Sequence, residues 1–235
     1  MFGGKKKAIT FSYDDGVTQD IRLIEILDRY GLKATFNLNS QLLGMSGQLI
    51  CDGVKVAHNK VASNDVAKIY KNHEIAVHTL THPNLTTLDD TEIIRQVEDD
   101  RLNLSKLCGY EVIGMAYPCG GVNNDDRVAQ IIKNNTGVKY ARTITSSHNF
   151  EKRNNLYRFN PTAYHLEKNH LMRLAEEFLK LDTNASSVFY IWGHSYEFDI
   201  EQSWDWFEDF CRLIGGHDNV FYGTNREVIC GNSDS

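Results

Sequence analysis

Two adjacent carboxylates, Asp14 and Asp15, close the stretch Thr10-Phe11-Ser12-Tyr13 and are followed at once by Gly16. Farther along lie His78-Thr79-Leu80-Thr81-His82, the turn Tyr117-Pro118-Cys119-Gly120, and Trp192-Gly193-His194. Carboxylates and imidazoles move protons near neutral pH, and two histidines with one carboxylate are a common facial set for a divalent metal. An H-x-x-x-H pair usually shares one face of a helix, but Pro83 disfavours helical backbone at His82, so a loop has to wrap both imidazoles onto an ion. Singly, each feature has a bland explanation: Asp-Gly is a frequent turn dipeptide, and nine histidines can fall into such a pair by chance. Their joint placement calls for chemistry.

That placement follows from the elements. Residues 8–11 alternate like a buried strand, and Gly16 lets the chain turn sharply where the strand ends. Neighbouring residues of a strand point to opposite sides, so Asp14 and Asp15 can share one site only where the chain is leaving the strand. Residues 18–30 have the apolar spacing of an amphipathic helix, with Gly31 as its C′ residue, and residues 34–39 form a second strand ending at Asn39. Residues 40–62 loosen into an excursion, or a pair of short irregular strands, with no assigned role. Residues 73–78 form a third strand. Thr87-Leu88-Asp89-Asp90 has the form of a capping box, opening a long helix with Ile93, Val97, Leu104 and Cys108 as its buried stripe. Further strands fall at 113–117, 138–144, 187–192 and 220–222, with helices at 125–133, 168–181 and 203–214 and an irregular piece at 157–165. Strands alternating with helices predict a parallel sheet, open or closed into a barrel, whose carboxyl ends gather the polar clusters on one face.

Composition narrows the setting. With 235 residues, 41% of them apolar, the chain suits one barrel-sized domain spanning residues 1–235. A net charge of −6 and no basic run beyond Lys5-Lys6-Lys7 argue against nucleic acid or an anionic membrane as partner. That lysine cluster is not followed by the leucine-rich stretch of an export signal. Five cysteines, odd in number and without a C-x-x-C pair, suit reduced thiols in a cytoplasm.

Thr10-Phe11-Ser12-Tyr13-Asp14-Asp15-Gly16 resembles the first motif of the polysaccharide deacetylases, carbohydrate esterase family four, with one residue inserted in T-F-D-D-G. His78-Thr79-Leu80-Thr81-His82 is similar to their H-[ST]-x-x-H motif, Tyr117-Pro118-Cys119-Gly120 to their third, and Trp192-Gly193-His194 to their last. The resemblance implies an α/β fold, a deformed, incomplete (β/α) barrel of about seven parallel strands with surrounding helices. It implies that Asp15, His78 and His82 bind a divalent metal, with zinc the ion expected, that Asp14 is the general base and that His194 is the acid. Tyr117, Pro118 and Cys119 would meet the substrate, with the backbone N–H of Cys119 facing the oxyanion. Tyr13 and Asn39, which flank the acids, and Trp192, an aromatic platform, are further expected substrate contacts.

The departures are informative. The family's third motif often carries an arginine two residues before the proline, where this chain has Ala116. Arg142, at the end of the 138–144 strand, is expected to supply that guanidinium from the neighbouring position. An aspartate pair followed by tryptophan is absent, leaving Glu197 as the available partner for His194. The expected activity is removal of an acetyl group from an N-acetylated sugar or oligosaccharide. Hydrolysis of another small amide, ureide or ester by the same site is the alternative, and a non-catalytic carbohydrate-binding protein is a third. Oligomeric state is not legible in the sequence.

Overall fold

The computed structural model describes residues 2–51, 53–152 and 154–231. Among these residues, ten strands and eight α-helices follow in order: β1 Lys7–Asp14, α1 Asp20–Arg29, β2 Ala34–Leu38, β3 Gln48–Cys51, β4 Val54–Ala57, α2 Val66–Ile69, β5 Glu74–Val77, α3 Asp90–Ile94, α4 Asp100–Cys108, β6 Gly114–Ala116, α5 Asp126–Asn135, β7 Tyr140–Arg142, β8 Ala163–Tyr164, α6 Lys168–Lys180, β9 Ser187–Gly193, α7 Glu197–Ile200, α8 Trp204–Ile214 and β10 Val220–Tyr222. Among the described residues no helix is long and apolar enough to cross a membrane.

The main sheet runs β7-β6-β5-β2-β1-β9-β8, and every pairing in it is parallel. β10 pairs with the first three residues of β1, on the side where β2 takes up the rest of the strand. The sheet curls because one segment serves both of its edges. Phe159 bridges Arg142 of β7, and Ala163–Tyr164, a few residues on, pairs with β9. The outcome is the incomplete barrel of seven parallel strands that the motifs imply. β8 lies in the piece expected to be irregular.

β1 is buried along its whole length. Its outer face puts Phe11 and Tyr13 against Phe207 and Phe198 of the helical layer, each such ring contributing about 1.5–3 kcal/mol by burial. Its inner face carries Thr10, Ser12 and Asp14 into the barrel. The excursion at 40–62 contains a real hairpin, β3 paired antiparallel to β4. It returns to the barrel through a bridge between Val17 and Lys60.

The long helix after residue 88 differs from its expected form at two places. Its N-cap is Asp89, whose carboxylate accepts from Glu92 N at 2.9 Å, because Thr87 is taken up in the preceding 3-10 turn with its hydroxyl donating to Asn84 O. It is also interrupted by a π turn at Arg95–Asp99. Of the expected stripe, Ile93, Val97 and Leu104 are nevertheless buried, while Cys108 is half-buried.

Candidate active site

Asp14 is the last residue of β1, and the chain reverses immediately after it through left-handed backbone at Asp15 (φ +83°) and Gly16 (φ +60°). A Cβ on Gly16 would come within 2.3 Å of Leu38 Cδ2, so any other residue would have to displace that buried side chain as well as hold left-handed backbone. The turn brings both acids to one side. Asp15, Thr79, His82 and Cys119, all at this end of the barrel, are four of seven described non-glycine residues with positive φ. Strain of about 1–3 kcal/mol per residue is thereby concentrated where side chains must converge.

His78 follows β5, and its Nδ1 lies 2.9 Å from Ala116 O. A carbonyl only accepts, so Nδ1 carries the hydrogen and the Nε2 lone pair is left facing the acids. The loop to His82 is hung from three supports. Asn39 Nδ2 donates to the carbonyls of His78 (2.6 Å) and Thr79 (3.0 Å). The buried Asp100 carboxylate accepts from the backbone N–H groups of His78 and Ser40. The π turn presents Gln96, whose carbonyl accepts from Leu80 N and whose side chain accepts from Thr81 N.

One donor atom each from Asp15, His78 and His82 lies within 4.8 Å of the others. Metal ligation requires neutral imidazoles and an ionised carboxylate. Burial pulls His78 down to about 4 against the attraction of Asp14, and burial likewise lowers His82. For Asp15 burial acts upward, but the bond from His58 and the charge of Lys60 hold it well below the usual carboxylate range. The protonation states and the free Nε2 of His78 fit a divalent cation.

Asp14 lies deeper, with its side chain 2% exposed. Arg142 Nη2 is 2.5 Å from both of its oxygens, and Asn37 Nδ2 donates to Oδ1 at 2.7 Å. Burial would raise this carboxyl, yet the guanidinium outweighs it and holds Asp14 below its ordinary value. Arg142 has no exposed surface. Its Nε donates to Ser12 Oγ at 3.1 Å, and its guanidinium carbon lies 4.5 Å from the ring centre of Trp192.

His194 follows β9. Its Nδ1 lies 3.2 Å from Glu197 Oε2, and that same oxygen accepts the His194 backbone N–H. Glu197 also takes the Tyr164 hydroxyl on Oε1 and His165 Nε2 on Oε2, the latter at 2.6 Å. Burial would lower His194, but Glu197, followed by Asp15 and Asp14, overrides it and lifts the imidazolium to about 9. Gly193 is required beside this group, because a Cβ there would meet the His165 ring at 2.5 Å.

A cavity of about 280 Å³ opens over these groups and is lined by both acids, His78, His82, His194, Tyr117, Cys119, Ile144 and Trp192. Three of the expected contact residues lie elsewhere or act differently. Tyr13 is fully buried between Phe36, Phe198 and Phe207, because strand alternation turns it away from Asp14. Asn39 is buried beneath the His78 loop. Pro118 is held with its neighbours by Asn123 Nδ2, which donates to the carbonyls of Pro118 and Cys119. Cys119, at φ +70°, sets its Sγ 3.4 Å from His82 O.

Sequence reasoning did not find His58 and Lys60. His58 Nε2 is 3.3 Å from Asp15 Oδ2, and Lys60 Nζ donates to Asp15 O at 2.7 Å. Both come from the excursion, and they wall a second cavity of about 410 Å³ that adjoins the first through Asp15, His82 and Tyr196. His165 is fully buried, with its Nε2 on Glu197.

No curated protein sequence matches the chain. Among solved structures, it is similar to the Streptococcus pyogenes deacetylase PplD in complex with acetate, at 21% identity and a TM-score of 0.51, covering 63% of this chain and 61% of PplD. The chain thus spans about three fifths of that protein. It is similar over 96% of its own length, and 90% of the other, to the Xyl-CE4 domain of a multidomain xylanase from the hindgut metagenome of Trinervitermes trinervoides, at 17% identity and a TM-score of 0.59. A BA3943 mutant, a CE4-family pseudoenzyme with restored enzymatic activity, gives 16% identity and a TM-score of 0.55 over 97% of this chain and 69% of that one. At these identities the likeness establishes the fold. The family model for polysaccharide deacetylase matches residues 3–141, more than half of the sequence, and the chain therefore belongs to the polysaccharide deacetylase family.

Proposed function

We propose that residues 1–235 form one catalytic unit, which hydrolyses the acetyl amide of an N-acetylated sugar or oligosaccharide with the help of a divalent metal. The observation that carries this reading is the contact of Arg142 with both oxygens of Asp14, deep in the barrel beside the three metal-fitting donors. A carbohydrate-binding role has no use for a buried carboxylate kept ionised by a dedicated guanidinium.

Asp15, His78 and His82 would hold the ion, zinc being the one their donor set suits best. When bound, such an ion supplies Lewis acidity, acidifying water and polarising a carbonyl. Asp14, ionised and fixed by Arg142, takes the proton of the attacking water on a carboxylate oxygen. The backbone N–H of Cys119, in the left-handed turn that lines the cavity, would donate to the developing oxyanion. His194 enters the reaction charged, because Glu197 keeps its proton on at neutral pH, and it passes that proton to the departing amine. Tyr117 and Trp192 wall the space left for the acyl group and sugar ring.

Acetate release from N-acetylglucosamine oligomers of several lengths tests the reading, with chelator-treated protein and zinc-restored protein side by side. Release that depends on added zinc is the expected result. A second substrate class, a small amide, ureide or ester, would need only the cavity of about 280 Å³ over the donor groups, without the adjoining one of about 410 Å³. Turnover of such an amide without acetate release from any oligomer would replace the first reading with the second. Protein that takes up no stoichiometric metal and turns over neither class would overturn both.

A further inference from the structure

A second group of metal-type donors lies outside the site described above. Glu167 Oε2 is 2.7 Å from His148 Nε2 and 3.4 Å from His170 Nδ1, and the two imidazole centres are 4.4 Å apart. The three donor atoms fall within 4.8 Å of one another. Ligands at the usual zinc distances of 2.0–2.1 Å stand about 3.3 Å apart in a tetrahedron, so the observed separations need only small side-chain adjustments.

The arrangement is built. Glu167 commits its other oxygen to the Ser146 hydroxyl (2.7 Å) and Tyr164 N–H (3.2 Å), which fixes the carboxylate plane and leaves Oε2 for the cluster. Outer partners of this kind orient metal ligands. His148 has left-handed backbone (φ +50°) and is tied by its N–H to Thr162 O, while Ser147 N–H donates to Pro161 O. Left-handed non-glycine backbone also marks Asp15 and His82 in the first donor group. His170, three residues after Glu167, projects from the first turn of α6.

We propose that His148, Glu167 and His170 form a second divalent-metal site, selective for a borderline ion such as zinc, with its remaining positions open to water. The site joins two segments that matter to the first. One is the loop that follows Arg142 on β7. The other runs from the end of β8 into α6 and includes Tyr164 and His165, which hold Glu197. An ion here fastens those segments together from outside the barrel. The inference is independent of the reading given to Asp15, His78 and His82.

Equilibrium dialysis of the full chain against zinc, after chelator treatment, tests the proposal by counting ions per chain in four proteins. The parent is expected to bind two, His148→Ala/His170→Ala one, His78→Ala/His82→Ala one, and the fourfold variant none. If the first donor group does not bind metal, the parent and His78→Ala/His82→Ala would each hold one ion and His148→Ala/His170→Ala none. That pattern would support the second site while removing the first. Equal stoichiometry in the parent and His148→Ala/His170→Ala would overturn the proposal. As a check that does not depend on ion counting, zinc should raise the Tm of His78→Ala/His82→Ala and leave that of the fourfold variant unchanged; no rise in the former would equally overturn it.

Discussion

Arg142 pairs in register with Ala116 across β6 and β7, and its guanidinium grips both oxygens of Asp14. The position where the motif resemblance leads one to expect an arginine holds Ala116, and the residue directly across on the next strand supplies a guanidinium to Asp14. A long side chain entering from one strand farther out reaches the same carboxylate. Arg142→Ala would leave Asp14 as an uncompensated buried charge, costing about 3–5 kcal/mol. It should also lower kcat/KM by about 100-fold or more through loss of a correctly ionised base. Chemical denaturation and steady-state kinetics measure the two effects. A kcat/KM within a few-fold of the parent would remove Arg142 from the catalytic description.

The neighbouring acids should separate by what each variant loses. Asp14→Asn is expected to abolish turnover while zinc content stays at the parent value. Asp15→Asn should lose zinc at the first site as well as turnover, because its carboxylate belongs to the donor trio. Metal content measured beside activity decides the assignment, and the reverse pattern would mean that the roles are exchanged.

Glu197 gives the pH dependence a definite sign. The proposed reaction needs His194 protonated and Asp14 ionised, so activity should persist above the lowered value of Asp14 and fall as pH rises through about 9. In Glu197→Gln the alkaline limb should move down toward the ordinary histidine value of about 6.5. A purely structural contribution from Glu197 would reduce activity at every pH without shifting the limb, so the kcat/KM profile separates the two.

Asp20 predicts a stability effect in the opposite sense to the paired acids. It is fully buried, accepting from Tyr70 OH at 2.7 Å and Ser195 Oγ at 2.6 Å, and burial raises it to about 7 against those bonds. A carboxyl whose folded value lies above its unfolded one contributes stability while protonated, at pH below about 4, and loses it as pH rises toward 7. Asp20→Asn, which cannot ionise, should therefore flatten the decline in stability between about pH 4 and 7, an effect of a few kcal/mol. Urea midpoints at several pH values give the comparison, and parallel curves for parent and variant would contradict it.

Much of the site could be read from where hydrophobic runs stop. Asp14, His78 and His194 each sit at the carboxyl end of a strand with a strong apolar pattern, and a parallel architecture leaves such ends no choice but to converge. Tyr13 shows the limit of reasoning by adjacency. The alternation that separates neighbours on a strand places it on the opposite face from Asp14, whatever their closeness in sequence. His58 and Lys60 gave no signal because residues 40–62 have no periodicity, and their approach to Asp15 depends on the Val17–Lys60 bridge. Glu197 was legible as three residues from His194. The support it receives from Tyr164 and His165 was not, since Tyr164 ends a two-residue strand and His165 follows it, inside a segment with no strand pattern.

The π turn at Arg95–Asp99 constrains what this chain can tolerate by insertion and deletion. Removing one residue there would restore a regular α-helix and improve its own ladder. The same deletion would rotate Gln96 and Asp100 by about 100° relative to each other's present faces, so the loop from His78 to His82 could not keep both of these anchors at once. A slightly irregular helix is thus the condition for a well-placed pair of imidazoles, and length changes in this segment should trade thermal resistance against metal retention.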